Sequence, residues 1–70
     1  MQIYEGKVLS KSVIPQNRAY NLLVEVDDEY KYYDFDVDAD LMPSNIKKGD
    51  NVRVKVHDAP NNYIISVEVI

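Results

Sequence analysis

Between Tyr30 and Leu41 the chain reads YKYYDFDVDADL, with carboxylates at Asp34, Asp36, Asp38 and Asp40 on every second position and Tyr30 and Tyr32 just ahead of them. On an extended chain, alternate side chains share a face and stand about 6.5 to 7 Å apart, close to the spacing of successive phosphates along a nucleic-acid strand. A ladder of this kind can dock on a basic protein or mimic a nucleic acid. The tyrosines offer a different chemistry, since exposed aromatic rings stack on bases. The two oppose each other, because carboxylates beside a stacking platform repel the phosphate chain that the bases carry. A calcium loop does not fit the same residues. Counted from Asp34, Ala39 stands where the sharp turn needs Gly and Asn45 where a bidentate Glu is required.

Catalytic constellations are absent from the pattern. His57 is the single histidine and there is no Cys for it to activate. Ser44, Ser66 and the other serines have no partner at a recognisable spacing. A small filled domain also lacks the deep cleft that would push apart the pKa values of two of its many carboxylates. The chemistry expected is therefore binding rather than catalysis, with no cofactor, no metal and no small-molecule substrate.

Charge is divided along the chain. The formal net charge is −4, yet residues 25–40 hold eight acids against Lys31 alone, a local −7, while the remainder carries +3. Opposite potentials on two parts of the surface follow from such a split. Without Cys, a reducing compartment is expected, and the cytoplasm is its default. MQIYEGKV has no basic region followed by an apolar run, and no stretch approaches about 18 apolar residues, so neither a secretion signal nor a membrane span is expected.

The elements that must position these residues are strands. Apolar and polar residues alternate in AYNLLVEV, in the aromatic-acidic stretch, in NVRVKVH and at the C-terminus, where Ile65, Val67 and Val69 form the inward set. Residues 2–14 make a longer first strand whose phase shifts, and Gly6 provides for a bend or bulge that lets it serve two sheets in turn. Pro15 to Arg18 form a loop, Asp27 to Glu29 a hairpin turn, Lys48 to Asp50 a turn with Gly49, and Ala59 to Asn62 the last turn. Between the third and fourth strands, Leu41 and Ile46 plug the core around a single short helical turn. The core expected is Val8, Leu22, Val24, Phe35, Leu41, Val52, Val54, Ile65 and Val67. On the third strand, Tyr33, Phe35 and Val37 go inward, because the opposite choice would bury Asp34 and Asp36. Five strands in one domain, 1–70, predict an all-β closed barrel, since closure removes the edges that invite aggregation.

Glu5-Gly6-Lys7-Val8 near the start, and Ile46 through Val56 with its Gly-Asp turn and alternating valines, resemble the OB-fold, and within it the small ribosomal S-one-like domains, including the translation initiation factors built of one such domain. The resemblance implies a five-stranded OB-like barrel that binds single-stranded RNA or DNA. In those factors the segment after the third strand is rich in bases, whereas residues 38–45 here contain none. In OB topology the first and fourth strands pair, which gathers Lys7, Lys11, Arg53 and Lys55 into a basic patch. With Tyr30 and Tyr32, that patch is the expected nucleic-acid site. The alternative partner is a basic protein, held by Asp34, Asp36, Asp38 and Asp40.

Overall fold

The computed structural model describes residues 1–26, 31–58 and 62–70. The expected turn at Asp27 to Glu29, Tyr30 after it, and all of the expected turn at Ala59 to Asn62 except Asn62 lie outside the described residues. Among the described residues five strands form, β1 (Gln2–Ile14), β2 (Ala19–Val26), β3 (Lys31–Asp38), β4 (Asn51–His57) and β5 (Tyr63–Val69). They make one antiparallel sheet in the order β3-β2-β1-β4-β5. Strands β3 and β5 are therefore its two edges. Their Cα atoms come within 8 Å at the nearest approach, and no backbone ladder joins them among the described residues.

β1 is long because it has two neighbours to serve. Residues 2–7 pair with β4 and residues 6–14 with β2, so Gly6 and Lys7 are paired on both sides. The glycine is needed here for close approach: a Cβ on Gly6 would lie 2.0 Å from the Glu25 carbonyl oxygen. The bulge itself falls further along, between Val8 and Ser10, where the register slips by one residue and the strand changes phase. The turn before β4 is tied to the same place, with Val8 N donating to Asp50 O at 2.9 Å and Gly49 N to Val8 O at 2.8 Å. Gly49 has φ +93, a conformation that glycine adopts without a Cβ penalty.

The core consists of Val8, Leu22, Val24, Val26, Phe35, Val37, Met42, Ile46, Val52, Val54 and Val67, and no polar side chain is buried among the described residues. Two expected members are outside it. Ile65 is 38% exposed because a second bulge, between Lys55 and Val56, opposes Lys55 to Ser66 and Val56 to Ile64. The phase of β5 reverses there, so Ile64 packs on the core and Ile65 turns out. Leu41 is also 38% exposed, and Met42 takes the inward position.

The helical turn expected between β3 and β4 is not formed. Residues 38–50 instead make three successive turns, closed by Leu41 N to Asp38 O, Ile46 N to Pro43 O and Asp50 N to Lys47 O. Asp38 Oδ1 accepts from Asp40 N at 2.9 Å, and Asp50 Oδ2 accepts from Lys47 N at 3.0 Å, so local side chains satisfy the backbone better in turns than in a helix. A helical turn lies instead after β1, a 3-10 segment at Pro15–Asn17 in the stretch expected as a loop. Pro15 supplies the φ that starts it, and Arg18 ends it in the left-handed region at φ 50.

Candidate binding faces

Pairing of β1 with β4 places Glu5 directly across from Arg53 and Lys7 across from Asn51, on the outer face of the sheet. Arg53 in turn stands across from Glu68 on β5. The guanidinium donates from Nε to Glu5 Oε2 at 2.6 Å and approaches Glu68 Oε1 at 3.8 Å, and Lys55 Nζ reaches the same Glu68 oxygen at 3.9 Å. The hydrogen bond and charge of Glu5 hold the Arg53 pKa above its already high usual value, so Arg53 stays cationic at any working pH. Lys7 has Glu25 as its register partner on β2. Across this face the cations Lys7, Arg53 and Lys55 are interleaved with the anions Glu5, Glu25 and Glu68.

Lys11 lies apart from that group, in the part of β1 that pairs with β2. Its Nζ donates to Ile46 O at 3.3 Å and sits 5.1 Å from the centre of the Tyr20 ring. The structure thus brings Lys7, Arg53 and Lys55 onto one face and engages Lys11 elsewhere. Lys47 pairs with Asp50 at 3.4 Å.

The acidic strand is arranged differently. Along β3, Phe35 and Val37 are buried and Tyr33 is half-buried, while Tyr32, Asp34, Asp36 and Asp38 are exposed, as the cost of burying carboxylates requires. Asp34 stands across from Leu23 and Asp36 across from Asn21, whose amide donates to Asp36 Oδ1 at 3.1 Å. Arg18 and Asp40 approach to 4.0 Å with both side chains more than 80% exposed. No ion pair is made by Asp34, Asp36 or Asp38 among the described residues. Tyr32, 64% exposed, lies across from Glu25 on the same face.

Between the edges β3 and β5 lies a groove of about 570 Å³. Tyr4, Phe35, Val56 and Ile64 supply apolar lining, Asp34, Asp36 and Asp38 come from β3, Tyr63 from the start of β5 and Asn62 from just before it. The aromatic lining is packed in place: Tyr4 lies 4.8 Å from Tyr33 and 5.5 Å from Phe35 between ring centres, and His57 stacks on Tyr63 at 4.6 Å. The sequence reading did not single out Tyr4, Asn62 or Tyr63. Tyr4 and Tyr63 fall in strands and Asn62 in the turn before β5, but nothing local says that the first and last strands approach the third.

Comparison with family models, with curated proteins and with solved structures gives no match to this chain.

Proposed function

We propose that the chain is a non-catalytic binding module with an OB-like barrel architecture, and that its ligand is a basic segment of another protein held by the acidic edge strand. The barrel reading is supported by strand order, since β3-β2-β1-β4-β5 is the order of a five-stranded barrel opened between its third and fifth strands. One observation carries the ligand reading. The bases of the outer face have acids as register partners or ion pairs, whereas Asp34, Asp36 and Asp38 have no base among the described residues. An uncompensated charge attracts a partner of opposite sign and leaves the compensated face with little net pull on phosphates.

Single-stranded nucleic acid is the second reading, favoured by the exposed Tyr32 ring in one cross-strand row with Glu25 and Lys7. The deciding experiment is a fluorescence titration of the chain at low salt with a labelled oligolysine and with a labelled single-stranded oligonucleotide. The protein-binding reading expects the oligolysine to bind, Asp34→Asn with Asp36→Asn to weaken it severalfold, and added salt to weaken it further, as charges become screened beyond about 8 to 10 Å. Tight oligonucleotide binding that improves in the same double variant would instead establish the nucleic-acid reading.

A further inference from the structure

We infer that the groove between β3 and β5 accepts a short extended segment of a partner protein as an added strand on β3, in which Lys or Arg alternates with apolar residues. This rests on the reading of the acidic edge as a protein-binding surface and specifies how that surface is read. Edge strand β3 has β2 on one side and the groove on the other, so its outer backbone groups have no ladder among the described residues. A strand edge without a ladder is what a partner strand pairs with in strand addition.

The side-chain pattern then selects the occupant. A strand added to β3 must follow its pleat, so residues level with Phe35 point inward and those level with Asp34, Asp36 and Asp38 point outward. The inward positions meet the apolar lining of Tyr4, Phe35, Val56 and Ile64. The outward positions meet three carboxylates that pair with no base among the described residues. Apolar residues at every second position and cations between them satisfy both sides at once. The volume lies within the roughly 300 to 1,000 Å³ typical of ligand-holding clefts. A phosphate chain in the same place would run along the carboxylates. A second copy of this chain is a poor fit, because its own alternating basic-apolar stretch, Val52 to Val56 in β4, is paired by β1 on one side and β5 on the other.

The test uses the full chain and three labelled peptides: alternating Lys and Val, the same composition in two blocks, and the alternating peptide N-methylated on its backbone. The alternating peptide should bind about tenfold more tightly than either control, because only it offers both the pattern and the backbone donors. Amides within residues 34–38 should gain protection from hydrogen exchange on binding, and Asp34→Asn with Asp36→Asn should reduce the affinity severalfold. Equal binding of all three peptides, without added protection at 34–38, overturns strand addition while leaving the acidic docking reading intact. Failure of every peptide to bind at low salt overturns both. Protection of 34–38 by an oligonucleotide, or by self-association seen in light scattering, assigns the groove to another occupant and overturns the inference.

Discussion

Gly6 is the position where one carbon atom matters most. It is buried and paired on two sides, and an added Cβ would meet backbone rather than a yielding side chain, at 2.0 Å from the Glu25 carbonyl oxygen. Relief requires β1 and β2 to separate, so Gly6→Ala should lower stability by about 3 kcal/mol, read from the urea midpoint. Arg18 presents the opposite case. Its φ of 50 and ψ of 49 put a residue with a Cβ in the left-handed region, and its ion-pair contact to Asp40 is exposed at 4.0 Å. Replacing it with Gly removes the conformational penalty at the cost of some unfolded-state entropy, and Arg18→Gly should raise stability by roughly 0.5 to 1 kcal/mol in the same measurement. No gain would mean that the Asp40 contact or the packing of the Arg18 stem offsets the strain.

For the strands, phase is decided by bulges. Strict alternation from Val67 would direct Ile65 inward, but the extra residue opposite Lys55 and Val56 sends Ile64 to the core instead. Substitution by Ala should separate the two neighbours: Ile64→Ala is expected to cost about 2 kcal/mol, and Ile65→Ala less than about 1 kcal/mol, by thermal or urea unfolding. Equal costs would argue against the bulge. The turns from 38 to 50 obey the same local logic, with Asp38 and Asp50 each accepting a backbone N–H close in sequence. Their side chains hold the segment in turns while Met42 and Ile46 anchor it to the core.

Over the whole molecule, charge is distributed unevenly because the sheet order separates β3 from β4. Two strands, β2 and β1, stand between the acidic edge and the arginine-bearing strand. Asp34, Asp36 and Asp38, at alternate positions of one exposed face and without an ion pair among the described residues, therefore repel one another. Moderate salt should raise the melting temperature of the free chain, since screening acts at about 8 to 10 Å, and Asp34→Asn should reduce that salt effect without loss of stability. A melting temperature that falls with added salt would show that the ion pairs of Arg53 outweigh the repulsion along β3.

Alternation of apolar and polar residues was sufficient to place the five strands, the inward set of β3 and most of the core, because side-chain period and desolvation act locally. It also located the acidic ladder and the basic residues. Tertiary structure alone decided the rest. Bulges depend on how two strands register against each other, so the exposure of Ile65 was not legible within β5. Competing turn bonds displaced the expected helical turn, and an inward Met42 left Leu41 exposed. Compensation of Arg53 and Lys55 arose from Glu5 and Glu68, which lie far from them or on another strand, while Asp34, Asp36 and Asp38 of β3 met Leu23, Asn21 and Ala19 across the ladder. Which charges are cancelled is a property of cross-strand distances, and those exist only after the sheet has formed.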